Sequence, residues 1–224
     1  MSDIFREVDE DIRQEKYRRL WDRFGPWLIA VAVLIVVGTG GYRGWLHWQE
    51  TKSQAAGDTF FDAVRLSEAG DSAAAEARFA ELADATGGYP AIAHLRKAAD
   101  LVRDERTTEA LAAFDDISRD SSVDAGLRDI ASLRAAYIAV DTEDYAAVAD
   151  RAEGLTGENA PFRSAAREIL AVAAWKAGDI ETARTWIAAL NDDPATPTDV
   201  AQRVSILTQV IDGTTGTAKT ENGQ

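Results

Sequence analysis

The sequence predicts an all-α protein, with one N-terminal transmembrane helix followed by a domain of helical-hairpin repeats. Three observations carry this. The 19 residues from Phe24 to Tyr42 hold no charge. The chain that follows is Ala-rich and lacks the alternating β-branched runs that mark strands. Four segments of that chain line up at separations of 35, 38 and 35 residues.

Residues 1–25 come first and read as a cytoplasmic amphipathic tail. Ile4, Val8 and Ile12 recur every four residues, with Phe5 beside them, and Leu20, Trp21 and Phe24 continue the apolar side. Charges fill the remainder, as in a helix with one apolar stripe. The run Lys16 to Arg23 is the densest basic stretch of the chain, and it abuts the membrane where anionic headgroups attract Lys and Arg.

The span is placed at 26–46. At about 1.5 Å per residue, a helix of this length crosses a hydrocarbon core of about 30 Å. It satisfies its own backbone hydrogen bonds there. Gly25-Pro26 is expected to end the tail helix and open the span, since Pro is tolerated at a first helical position. Trp27 at one end and Tyr42, Trp45 and Trp48 at the other suit the two interfaces as anchors. Gly40 and Gly44 form a G-x-x-x-G pair, a candidate face for helix packing and self-association.

Seven acids in the tail and the length of the apolar run argue for an uncleaved anchor rather than a signal peptide. Six Lys/Arg precede the span, and only Arg43 and Lys52 follow it closely. The positive-inside rule therefore keeps the N-terminus in the cytoplasm and exports the rest.

Residues 47–212 form the exported domain. Each aligned unit reads as helix, short polar turn, helix. Small residues Ala63, Ala98, Ala136 and Ala171 line the first helices. Ala75, Ala110, Val148 and Ala183 occupy the matching place in the second helices, followed four positions on by Phe79, Phe114, Ala152 and Ile187. These positions are the expected repeat core. A period near 34 with A-x-x-x-F in the second helix is the tetratricopeptide pattern, in a degenerate form. Such units stack on their neighbours. A last helix from about Thr198 to Ile211 caps the stack, and 213–224, which lacks core residues, is expected to be disordered.

The net charge of −14 belongs to this domain, where 31 acids face 17 bases from residue 44 onward. An acid excess repels nucleic acid, which is excluded as a partner. With no cysteine in the chain there is no disulfide, thiolate catalysis or Cys-based zinc site. His47 and His94 have no second ligand at metal spacing. The acid pairs Asp115-Asp116 and Asp192-Asp193 read as solvated turns or helix ends. No catalytic group, cofactor site or metal site is expected, so the protein reads as non-enzymatic.

The segment Gly41-Tyr-Arg-Gly-Trp-Leu-His-Trp48, the basic-acidic tail before it and the helix through Phe60-Phe61-Asp-Ala63 resemble the ancillary Sec translocon subunit family. These are bacterial inner-membrane proteins with one span and a periplasmic tetratricopeptide-like domain. The start Ser2-Asp-Ile-Phe-Arg-Glu-Val-Asp-Glu-Asp11 is similar to the alphaproteobacterial branch of that family. The resemblance implies a cell inner membrane location, association with the Sec translocon, and a periplasmic chaperone of the membrane-anchored prolyl-isomerase type as partner. The other reading compatible with the repeats is a periplasmic scaffold or regulator that coordinates cell-envelope or division machinery.

Overall fold

The structure, a computed structural model, describes the backbone of residues 3–221 and the side chains of Arg23 and residues 26–213. Among the described residues there are nine α-helices, one short 3-10 helix and no strand. The chain divides into two units, Met1–Ala55 and Ala56–Gln224.

The first unit is built from helix α1, Asp3–Glu68, whose last turns belong to the second. Pro26 lies inside α1 rather than at the start of a separate span helix, which corrects the expected break at Gly25-Pro26. Proline removes one i→i−4 hydrogen bond, and a helix continuing on both sides can carry that single loss. The apolar stripe expected from Ile4 to Phe24 lies outside the described side chains.

The second unit is a stack of hairpins. The end of α1 pairs with α2, Ser72–Ala80. Then α3, Tyr89–Arg103, pairs with α4, Thr107–Arg119. Helix α5, Ala125–Thr142, pairs with α6, Tyr145–Ala152, which ends in the 3-10 turn Glu153–Leu155. Helix α7, Arg163–Lys176, pairs with α8, Ile180–Asn191. Helix α9, Thr198–Glu221, closes the stack. Its backbone is helical past Asp212, where the composition suggested only an irregular tail. Propagating a formed helix adds one hydrogen bond per residue ordered, which a polar sequence can also do.

The hairpin turns show why the sequence folds this way locally. Gly70 and Gly178 have φ of +85° and +78°, which a residue without Cβ adopts freely. Each sits in a helix-ending motif in which the next N–H reaches back to a carbonyl of the last turn: Asp71 N–H to Leu66 O at 3.0 Å, and Asp179 N–H to Ala174 O at 2.9 Å. The same two aspartates then cap the following helix, accepting from the N–H groups of Ala74 and Thr182. One Gly-Asp dipeptide thus ends one helix and starts the next. The second hairpin keeps this geometry with Glu105 (φ +59°) and Arg106, without a side-chain cap.

The core runs as four apolar clusters in series. One joins α1, α2 and the start of α3 around Phe79. The next joins α3, α4 and α5 around Phe114. The third joins α5, α6 and α7 around Val148, and the last joins α7, α8 and α9 around Ile187. Each cluster is completed by the first helix of the following unit, so no hairpin buries its apolar face alone.

Candidate protein-binding face and membrane anchor

On α1, the side chains from Trp27 to Val37 have no protein against them. Trp27 and Leu34 are 75% and 74% exposed, and Leu28, Ile35 and Val36 are similarly open. The helix is long and apolar enough to cross a membrane. Apolar area in water costs about 25 cal/mol per Å², and an exposed apolar stretch of this length is consistent with a single-pass membrane anchor. Tyr42, Trp45 and Trp48 are exposed at its C-terminal side. The Tyr42 and Trp45 rings lie 6.4 Å apart, and Lys52 Nζ stands 4.0 Å over the Trp48 ring. That cation–π contact suits an interface, where an aromatic body meets a charged tip. At Gly40 and Gly44 a built Cβ meets nothing within 4 Å, so their side of the helix is open.

In the repeat unit, Ala75, Ala110, Val148 and Ala183 are buried, as are Phe79, Phe114, Ala152 and Ile187. Ala63, Ala98, Ala136 and Ala171 on the facing helices are fully buried. Small residues on both sides of each crossing let the helices approach closely, and Phe79 and Phe114 fill the space toward the next unit.

The first helices of successive units touch along the stack: α3 against α5, α5 against α7, and α7 against α9. They present a common face. Between α3 and α5 this face opens into a cleft of about 480 Å³, within the size range of ligand pockets. Val102 and Ala99 come from α3, Phe114 from α4, and Arg134, Tyr137 and Ile138 from α5. Val102 is 44% and Tyr137 46% exposed, although both are apolar over most of their surface. Partial burial, followed by the Glu168 carboxylate, holds the Tyr137 phenol above the usual tyrosine range. Glu168, on α7, is itself gripped by Arg203 of α9 through a two-pronged ion pair.

Ion pairs tie the units together elsewhere. Asp115 is buried on α4 and accepts both prongs of Arg151 from α6, which corrects the reading of Asp115-Asp116 as a solvated turn; Asp116 alone is exposed. Asp193 also does more than end a helix. It accepts from Arg163 and Arg167 of α7 and from the Ala195 N–H, and the Arg163 guanidinium leads in holding its carboxyl well below the usual range. The arginine partners are 26 to 36 residues away in sequence, a separation that a spacing search does not reach. Among the described residues no group of His, Asp or Glu has the geometry to hold a metal ion.

Sequence reasoning found the buried positions but passed over the cleft. Arg134, Tyr137 and Asp141 recur at i, i+3 and i+7 on α5, one stripe of a helix. An aromatic in the centre of that stripe, opposite the buried Ala135-Ala136 side, was the available signal.

The comparisons with known proteins bear on this arrangement. No curated protein and no solved structure matches the chain. The family description "Tetratricopeptide repeat-like domain" matches residues 18–203, which takes in the apolar part of α1 together with the repeat helices up to the start of α9. The chain therefore belongs to the tetratricopeptide repeat-like domain family.

Proposed function

We propose that this protein is a non-catalytic, membrane-anchored protein-binding module that associates with the Sec translocon and with a periplasmic chaperone, assisting translocated proteins. The observation that carries the proposal is the pairing, inside one family match, of an exposed apolar helix with a stack of repeats. The family's repeats are protein-interaction modules, so the output of the domain is binding. The anchor fixes where that binding happens. The Lys/Arg excess before the span supports a cytoplasmic N-terminus and a periplasmic domain in the cell inner membrane. The resemblance of Gly41 to Trp48 and of the tail to translocon subunits supports the Sec assignment.

In this reading the tail and span contact the translocon, while the repeats hold the chaperone or client. The full chain, purified from membranes in mild detergent, should bring down the Sec channel. Residues 50–224, exported behind a cleavable signal, should lose the channel and keep a periplasmic partner. If the full chain recovers division or cell-wall proteins and no Sec component, the envelope-scaffold reading replaces this one. A phosphatase fused after Gln224 should be active, since it would lie in the periplasm.

A further inference from the structure

We infer that the outer face of α9, centred on Ile206, is a self-association surface that packs against the same face of a second copy of this chain. The inference goes beyond the binding reading above and does not depend on which proteins surround the anchor.

The repeat register marks the face. Helix α7 begins at Arg163 and α9 at Thr198, one 35-residue period later. Ile206 therefore stands one period after Ala171, and Val210 one period after Trp175. In α7 that side receives the second helix of its own hairpin. Ala171 is fully buried in one cluster with Ala183 and Ile187 of α8, and Trp175 packs against the same cluster. The matching places on the earlier first helices, Ala63, Ala98 and Ala136, are fully buried as well. Helix α9 turns Val200, Val204 and Ile211 into the stack, where they are buried. Ile206, on the side where a second helix would lie, is 62% exposed, and Val210 is 40% exposed. Terminal units of a repeat stack ordinarily turn a polar outer face to water. Residues 212–221 continue α9 rather than folding back over it. From 212 to 224 there is one alanine and no larger apolar residue, so this stretch supplies no apolar stripe for a second helix.

Charge selects the occupant. From residue 44 onward acids outnumber bases 31 to 17, so two copies repel over most of their surface. From Val200 through Ile211 the only charged residue is Arg203, and Glu168 and Asp199 hold its guanidinium. A basic partner drawn to the acidic domain finds no carboxylate in this stretch, and an acidic partner finds its one cation already engaged. A second copy brings a stripe as neutral as the one it meets, so no like-charge penalty arises at the contact. An isologous contact uses one patch twice, and a two-fold axis beside Ile206 brings the two copies of this side chain together. One helix-on-helix contact buries less than the roughly 1,200 Å² of a stable free-standing interface. Confinement of both copies to one membrane raises their effective concentration and lets so small a contact form.

The test uses the full chain in intact membranes, with two differently tagged copies co-expressed. The chain has no cysteine, so a single Gln209→Cys change, exposed on α9 beside Ile206, reports on its own. A short bis-maleimide should join the two tagged copies through this position. Ser121→Cys, exposed in the turn after α4, should give little adduct between copies. Added to Gln209→Cys, Ile206→Glu should lower the adduct about tenfold by setting two carboxylates face to face. Its melting temperature should be unchanged, because Ile206 is exposed. Ile206→Lys should lower the adduct in the same way, and co-expression of the Ile206→Glu and Ile206→Lys copies should restore it. Equal adduct from the two cysteine positions, adduct indifferent to Ile206→Glu, a Glu/Lys combination no better than either change alone, or a different protein joined at position 209 in place of a second copy would each overturn the inference. No arm reads the translocon, so the outcome is separable from that of the Sec pull-down.

Discussion

Arg151 of α6 grips Asp115 of α4 in a fork-to-fork ion pair, with Nε to Oδ1 at 2.8 Å and Nη2 to Oδ2 at 2.7 Å. The same guanidinium donates to Glu143 at 2.6 Å and to the Ala147 carbonyl at 2.8 Å. Burial alone would disfavour the charged arginine, but the hydrogen bonds it donates to Asp115 outweigh that and push its pKa above the ordinary value. The pair joins the second helices of adjacent hairpins.

Removing one partner of such a pair leaves the other charged and poorly solvated. Asp115→Ala should therefore destabilise the domain by about 2–4 kcal/mol, lowering its melting temperature in a calorimetric scan. The double change with Arg151→Met should recover part of this, because both buried charges leave together and Glu143, which also loses Arg151, is exposed to water. A double mutant that melts no higher than Asp115→Ala would show that the pair contributes through packing instead.

Glu105 is the one described non-glycine residue with positive φ, at a place where the first and fourth hairpins carry Gly70 and Gly178. A side chain there costs about 1 kcal/mol relative to glycine. Glu105→Gly should raise the melting temperature by about 2–4 °C, and Gly178→Glu should lower it by a similar amount. Equal melting for both variants and the natural chain would remove the strain argument.

Several carboxyls are held below their ordinary range in the folded state: Asp193 chiefly by Arg163, Asp199 by Arg203, Glu109 by Arg106, Asp179 by the Thr182 N–H and hydroxyl, and Asp120 by the Ser122 hydroxyl and N–H. A depressed folded pKa means that the ionised form stabilises the fold. That stabilisation is complete above the unfolded carboxylate value of about 4 and is lost as the pH falls through the folded values. The melting temperature should vary little from these groups between about pH 8 and pH 5 and fall below about pH 4. Asp193→Asn should start lower at neutral pH and decline less steeply on acidification. A parallel decline in both proteins would assign the acid sensitivity to other groups.

The hairpin stack was legible because its signals are local and periodic. Alanines at Ala63, Ala98, Ala136 and Ala171 mark helix crossings, and Phe79 and Phe114 follow the small residues of the second helices at a fixed offset. Gly70-Asp71 and Gly178-Asp179 mark turns in the chain itself. The pairs Asp115–Arg151 and Glu168–Arg203 were not legible, because their partners lie 36 and 35 residues apart and meet only after the hairpins stack. The cleft escaped for a related reason. Whether Tyr137 faces core or open surface depends on how α5 settles between α3 and α7, and that angle is set by packing rather than by sequence period. The continuity of α1 through Pro26 went against a local rule that the neighbouring helical turns override.

The central proposal is that α1 anchors the protein beside the Sec channel and holds the repeats there. Placing a photo-reactive residue at Val36, exposed on the apolar part of α1, and irradiating intact membranes tests it directly. The account predicts a covalent adduct between this chain and a subunit of the translocon, identified by mass spectrometry and absent without irradiation. Adducts confined to cell-wall or division proteins, with none to the translocon, would contradict it.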